Sequence, residues 1–444
     1  MTCGFVIDNS PVRLVYTENR TLHAKTPKDL EINVLDNDRA VEYTEFILKK
    51  RYSEQKTGDK ITMPELRPLT ANDADALMKL RAAAFSIPAE RGLTSWVLDN
   101  SLGAFENGRL AASIFLKPLT INFCGSALSM YGVGGVATMP LSRRGGYIRK
   151  LFGLAAEKAA ENDVAIGMLY PFSYYYYRQF GYERLDPRVS LTLPLASMDD
   201  FPRNADGELY DGSQKEALLS VYNRYAAAVN LMTYRENDAD FSADPENSLK
   251  YTYLHRSAAG YDGYVTVQYR PDCMMVQELV YTSPEALRGL LGMLRMFEGQ
   301  RANITFVLPG SSPVIDMLSR YKVCQYAMNN GPMGRIYDTA RLLRSNLYPA
   351  SAGHFTLTVH DTAPLCGGTF SVEYYKGAAE VRPTDAPADI ETDCAAFSRI
   401  VLSGKGYSAQ ELPFLNGVAV NEPARAEDFA LSFPRRMTDH MAHY

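Results

Sequence analysis

Apolar residues at Ala76, Leu77, Leu80, Ala83 and Ala84 recur at helical spacing within "ELRPLTANDADALMKLRAAAFSIP". The pattern predicts a short strand, a turn with Asn72 or Asp73 as cap, and a helix. "GAFENGRLAASIFLKPLTINFCGSALSMYGVGGVATMP" then reads as three or four antiparallel strands, with Asn107-Gly108 as a hairpin signal between two apolar runs. "SRRGGYIRKLFGLAAEKAAENDV" is predicted as a helix and "AIGMLYP" as a buried strand. Strand, helix, strand in that order is the grammar of a βαβ unit.

The pattern partly repeats between 211 and 334. "QKEALLSVYNRYAAAVN" is helical, and "AGYDGYVTVQYRPDCMMVQELVYTS" is a strand pair joined by a polar turn. "PEALRGLLGMLRMFEGQ" is a helix with proline in its first turn, and "NITFVLP" is a strand. This is read as a second, degenerate copy of the first α/β domain, without its glycine-rich turn. From "RIYDTARLLRSN" onward, "FTLTVHD", "GTFSVEYYKG" and "AAEVRP" alternate like antiparallel strands, while "CAAFSRIVLSG" and "SAQELPFLNG" read as helices ending at glycine. The expected division is an N-terminal extension (1–63), a first α/β domain (64–210), its degenerate copy (211–334) and an α+β module (335–444). Within the extension, "RAVEYTEFILKKRYSEQK" is read as one amphipathic helix.

Composition narrows the function. The chain has 444 residues, more than one core ordinarily serves. It is 46% hydrophobic and 22% charged, which excludes disorder as the dominant state. Its net charge of -5 offers no basic excess for phosphate neutralisation, so nucleic acid is not expected as a partner. No run of about 18 apolar residues is present, so no membrane span is expected. The N-terminus lacks a signal-peptide pattern, and a cytoplasmic location is expected. The six cysteines, at 3, 124, 273, 324, 366 and 394, form no CxxC; neither a metal site nor a disulfide framework is expected. His440 and His443 are three apart but too few for a metal.

The chemical signal lies in "MYGVGGVATMPLSRRGGYIRKLF", 130–152. Glycines 132, 134 and 135 inside a strand mark a bulge or a ligand's close approach. Gly145 and Gly146 at a helix start leave backbone N–H groups pointing outward, where the helix end carries partial positive charge. Arg143 and Arg144 beside them suit a pyrophosphate. The spacing is not that of a P-loop. A tight strand-to-helix turn without ligand remains the alternative. Downstream, "YPFSYYYYRQFGYE" packs six tyrosines into fourteen positions.

Two of these motifs resemble a known family. Arg143-x-x-Gly146-x-Ile148 after "GGVATMP" is similar to the acyl-CoA signature [QR]-x-x-G-x-[GA] of GNAT N-acetyltransferases, departing at Ile148. "YYRQFGYE" resembles the "IYGRFGYG" element of the Eis (enhanced intracellular survival) family. The resemblance covers roughly 65–444. It implies tandem GNAT-type domains, each a mixed, mostly antiparallel sheet flanked by helices, and a C-terminal sterol-carrier-protein-like α+β domain. It also implies a trimer or hexamer and acetyl-CoA as cosubstrate, with no metal. The pantetheine arm would meet Gly135, Val136 and Thr138, and the phosphates would meet Arg143, Arg144, Gly145 and Gly146. Tyr177 would be the general acid; a tyrosine of ordinary pKa near 10 is protonated at pH 7 and can donate to a thiolate. The base would be the C-terminal carboxylate of Tyr444. Trp96, the only tryptophan, and the weaker candidate Phe85 would form the substrate pocket. Acceptors would be amines: aminoglycoside-like molecules, polyamines or protein lysines. His443, where family members often carry an acid, weakens the case for a polycationic aminoglycoside. The competing expectation is a non-catalytic acyl-CoA- or lipid-binding oligomeric protein.

Overall fold

The computed structural model describes residues 64–86, 93–237, 249–271, 273–319 and 321–442, together with the backbone of four N-terminal strands. Those strands, β1 (Thr2–Ile7), β2 (Ser10–Tyr16), β3 (Thr21–Ala24) and β4 (Glu31–Asn33), form an antiparallel sheet in sequential order within a separate unit, Met1–Met63. The helix expected over "RAVEYTEFILKKRYSEQK" lies outside the described residues.

The second unit, Pro64–Tyr444, holds three sheets. The first contains β5 (Glu65–Pro68), β6 (Ser101–Glu106), β7 (Arg109–Phe123), β8 (Ser126–Thr138), β9 (Ile166–Leu169), β10 (Glu183–Arg184) and, from far downstream, β18 (Met333–Ile336). Its order is β10-β18-β9-β8-β7-β6-β5, and β8–β9 is its one parallel pair. The second sheet takes β11 (Arg188–Pro194), β12 (Glu208–Leu209), β13 (Lys250–Ser257), β14 (Gly260–Tyr269), β15 (Cys273–Tyr281), β16 (Asn303–Pro309) and β17 (Gln325–Met328). It runs β12-β13-β14-β15-β16-β11-β17, again with one parallel pair, β15–β16. Sheet membership does not follow chain order at the join. β11 enters the second sheet before that copy has begun, and β18 returns to the first sheet after the second is complete. β18 also spans residue 335, where the third module was expected to begin.

The parallel pairs are bridged by α3 (Tyr147–Glu161) in the first copy and α5 (Pro284–Leu294) in the second. A parallel pair requires such a crossover. α3 buries Tyr147, Ile148, Leu151, Phe152, Ala155, Ala156 and Ala159, one face at helical spacing. Each large apolar side chain removed from water there contributes about 1.5–3 kcal/mol. That face packs on one side of the first sheet with Leu116, Val133 and Leu169. The other side of the sheet, through Ile121, Phe123, Met130, Ile166 and Met168, shares a core with the C-terminal residues.

The C-terminal region is a five-stranded sheet, order β21-β20-β19-β22-β23. Its strands are β19 (Gly353–His360), β20 (Gly368–Tyr375), β21 (Ala378–Pro383), β22 (Ile390–Asp393) and β23 (Val418–Val420). The helix expected over "SAQELPFLNG" is only a 3-10 turn, Leu412–Phe414, because Pro413 removes a helical donor at its centre. Helix α1 (Ala74–Phe85) forms as expected, but its entry is capped by Thr70 and Asp73 in a reciprocal capping box. Asp73 also binds Arg67 at 2.7 Å, which holds its carboxyl down at about 2.

Candidate active site

β8 is paired with β7 along its length, but with β9 only over Met130–Val133. Beyond that point β9 ends and β8 continues to Thr138, so Gly134–Thr138 presents one backbone edge without a strand partner among the described residues. Buried polar backbone demands a partner; an open edge is therefore a template for an extended ligand. At this edge the β7–β8 register breaks between Ser113 and Phe115, a bulge that contains Gly135 at φ +55. Glycine is the residue that adopts this conformation without penalty, and the bulge turns backbone N–H groups out of the ladder.

The open edge leads through a 3-10 turn, Pro140–Ser142, to Arg143, Arg144, Gly145 and Gly146. Gly146 is the N-cap of α3 at φ +74, and no side chain caps the helix. The first turn's N–H groups therefore face outward with the positive end of the helix dipole behind them. Arg144 is also left-handed, φ 68, an unusual state for a non-glycine residue that accumulates at functional sites. Both arginines are exposed.

Val136 to Thr138 of the edge and Arg143 to Arg149 line one cleft of about 760 Å³ together with Phe85, Phe172, Tyr176, Gln179 and Phe180; Gly135 is not part of its lining. The donor set fits a long anionic cosubstrate: a strand edge for an amide-bearing arm, then a cationic helix end for phosphates. Arg149 is held at the far wall by Gln179, whose Oε1 accepts from Nη2 at 2.6 Å. Ile148, the departure from the signature, faces the core and the cleft floor.

The tyrosine stretch divides by environment. Ser173 caps α4 (Tyr174–Arg178), accepting from the Tyr176 N–H at 3.3 Å. Phe180 stacks on Phe152 at 4.6 Å, and Tyr182 is buried with its hydroxyl 2.8 Å from that of Tyr337. Tyr174 donates to the Gly331 carbonyl at 2.9 Å, while Tyr175 is 91% exposed. Tyr176 lines the cleft. Tyr177 is 4% exposed and lies behind that wall, with edge contacts to Tyr176 at 5.2 Å, Phe172 at 5.4 Å and Phe152 at 6.1 Å. Burial pushes both phenols above the ordinary tyrosine value, Tyr177 the further.

Trp96 stands apart from the cleft lining. It sits on α2 (Ser95–Asp99), 45% exposed, edge-on to Phe115 at 5.4 Å, and Phe115 is paired with Gly134 on the bulged strand. Phe85, equally exposed, does line the cleft. Tyr444 and His443 lie outside the described residues. The tail before them is well placed: Thr438 bridges Asn230, and Arg188 Nε lies 3.3 Å from Asp439. Tyr170, at the end of β9, donates to the Ala442 carbonyl at 3.3 Å. The chain's last described residue is thus at the mouth of the strand splay. His440 is buried with both ring nitrogens unpartnered, and desolvation pulls it down to about 3.

One grouping escaped the sequence: Cys366 and Cys394, 28 positions apart, meet at 3.1 Å with Asp361 beside them. Nothing in their spacing announces it, since the contact is made by tertiary packing.

Residues 65–185 match a family model described as an acetyltransferase (GNAT) domain, and residues 231–336 match a second model of the same description. Together these span just over half of the chain. No curated protein matches it. Among solved structures, a probable N-acyltransferase from Enterococcus faecalis V583, titled a conserved protein of unknown function, is similar at 21% identity and TM-score 0.76. A GCN5-related N-acetyltransferase from Anabaena variabilis is similar at 16% identity and TM-score 0.75, and Eis1 from Mycobacterium abscessus at 19% and 0.71. In each case the match covers 86% of this chain and 100% of the other. At these identities the likeness is one of fold. Two GNAT domains in tandem make this protein a member of the GNAT N-acetyltransferases, and a fold shared with Eis1 over 86% of the chain gives it Eis-like architecture.

Proposed function

We propose that the chain transfers the acetyl group of acetyl-CoA to an amine, in the cleft of the first copy. The observation that carries the reading is the unpartnered edge Gly134–Thr138 running into the uncapped N-terminus of α3. Gly135, Val136 and Thr138 hold the pantetheine arm, and Arg143, Arg144, Gly145 and Gly146 hold the phosphates. Bulge N–H groups stabilise negative charge as it develops on the thioester oxygen. The amine nitrogen bonds to the acetyl carbon, the carbon–sulfur bond breaks, the departing sulfur takes the Tyr177 proton, and the nitrogen's remaining surplus proton restores the Tyr177 phenol. The C-terminal carboxylate of Tyr444 takes the ammonium proton; the contact between Tyr170 and Ala442 supports that placement. An α-carboxyl is ordinarily far too acidic for this work, so the role requires burial or a water relay. Trp96 and Phe85 are the aromatic walls for an aminoglycoside-like, polyamine or lysine amine.

Residues 64–210, 211–334 and 335–444 are proposed as an active domain, its degenerate copy and a sterol-carrier-protein-like module, assembled as a cytoplasmic trimer or hexamer.

Amine-dependent thiol release from acetyl-CoA tests the reading directly. Tyr177→Phe is expected to lower kcat at least about tenfold, roughly 1.4 kcal/mol of barrier, with acetyl-CoA affinity retained. Tyr176→Phe serves as the discriminating partner, because Tyr176 lines the cleft and Tyr177 does not. If only the Tyr176 variant loses turnover, the acid role passes to Tyr176. A C-terminal extension beyond Tyr444 should depress turnover; full activity in the extended chain removes the carboxylate from the mechanism.

A further inference from the structure

Behind the Phe180 wall of the cleft lies the pair of thiols. Cys366 and Cys394 are 0% and 2% exposed, with Sγ–Sγ at 3.1 Å. Each is held from its own side. Thr339 donates to the Cys366 carbonyl at 2.6 Å. Cys394 opens the nine-residue helix Cys394–Leu402, whose cap Asp393 accepts from the Ala396 N–H at 2.6 Å. The other described cysteines, Cys124, Cys273 and Cys324, are half-buried.

The pair is wired to the cleft. Cys394 Sγ lies 3.8 Å from the Gly181 carbonyl and 3.6 Å from that of Ile336. Arg335 binds both oxygens of Asp361 at 3.1 Å and donates to the Phe180 carbonyl. Asp361 and the two thiols lie within 4.8 Å of one another. A cavity of about 440 Å³, lined by Gly181, Arg335 and Asp361 among others, reaches the carboxylate of this cluster, with the two buried thiols behind it. The guanidinium already claims the carboxylate, which disfavours a cation there.

We propose that Cys366 and Cys394 are a redox-sensitive dithiol that closes to a disulfide under peroxide and reshapes the cleft wall at Phe180. One thiol is oxidised to the sulfenic acid, R–SH + H2O2 → R–SOH + H2O. The second displaces hydroxide from it, R–SOH + HS–R′ → R–S–S–R′ + H2O, so each sulfur loses one electron and the peroxide gains two. The sulfurs then close from 3.1 Å to a bond of about 2.05 Å. That draws on the helix start at Cys394, which touches the Gly181 carbonyl directly. The coupling to the cleft rests on the cosubstrate reading above; the disulfide does not.

The full chain is treated with hydrogen peroxide, alkylated after denaturation and mapped by peptide mass. The expected product is one Cys366–Cys394 linked peptide, lost on adding dithiothreitol and absent from C366S and C394S. By calorimetry, the oxidised chain is expected to bind acetyl-CoA about threefold more weakly than the reduced chain, and folded C366S is expected to be unmoved by peroxide. Absence of the linked peptide from wild type, or stoichiometric zinc on these residues in the purified protein, overturns the proposal. A linked peptide with unchanged affinity overturns the coupling. If the reduced chain binds no acetyl-CoA, the cosubstrate reading and the coupling fall together, and the peptide map still decides the disulfide.

Discussion

The helix after the splayed strand begins differently in the two GNAT copies. In both, a strand leaves its parallel neighbour after four paired residues, at Val133 in the first and Val276 in the second. Both strands carry a register break against their antiparallel partner. In the first copy, eight residues with four glycines or arginines in sequence separate strand from helix, and Gly146 leaves the helix end bare. In the second, only Thr282 and Ser283 intervene. Ser283 accepts from the Ala286 N–H at 3.0 Å, and Pro284 supplies no N–H. The stretch that follows Val276 bears Glu278, tied to Arg235 at 2.7 Å and to Tyr264, where the first copy has glycine. Beside it the tail packs Met441 against Tyr222, Tyr225 and Val280. One helix start is open and cationic; the other is capped by Ser283 and begins on a proline.

The sharpest way to break this comparison is to close the open copy. Gly146→Asp places a carboxylate at a left-handed position in the anion cradle, and KM for acetyl-CoA should rise about 100-fold, roughly 2.7 kcal/mol. A chain that keeps its KM sends the search for the cosubstrate elsewhere. A smaller effect concerns the tail that packs on the second copy. His440 is held below its ordinary value, so the unfolded chain binds the extra proton as pH falls from 6.5 toward 3. The stability it contributes is complete above 6.5 and should decline by about 2 kcal/mol by pH 5. Asp439 is raised by the same burial and works in the opposite sense. The quantity to compare is therefore the pH slope of the urea midpoint in wild type and His440→Gln, which should be shallower in the variant. The smallest effect is expected from Ser283→Ala, a loss of about 1 kcal/mol from an unpaired helix end with KM unchanged. A shift in KM there would mean that the second copy touches the cosubstrate.

What the sequence disclosed is what neighbours along the chain decide. Asn107 and Gly108 both take positive φ, as their hairpin signal requires, and the bulge falls among the glycines that announced it. The helix start at Gly146 is equally local. Tyr177 was legible as a motif but not as a buried ring, because its burial depends on Phe152 and Phe172 arriving from other elements. The exchange of β11 and β18 left no local trace, since either strand reads the same in whichever sheet it joins. The meeting of Cys366 with Cys394 is of the same kind.

That exchange has a consequence for how the chain is made. The sheet that bears the cleft is missing an inner strand until Met333–Ile336 has been synthesised, about 150 residues after β10. At ordinary ribosomal rates this is a wait of roughly eight to thirty seconds. The N-terminal copy therefore cannot finish before its sibling exists, and neither can be excised as a cassette without leaving a gap in the other.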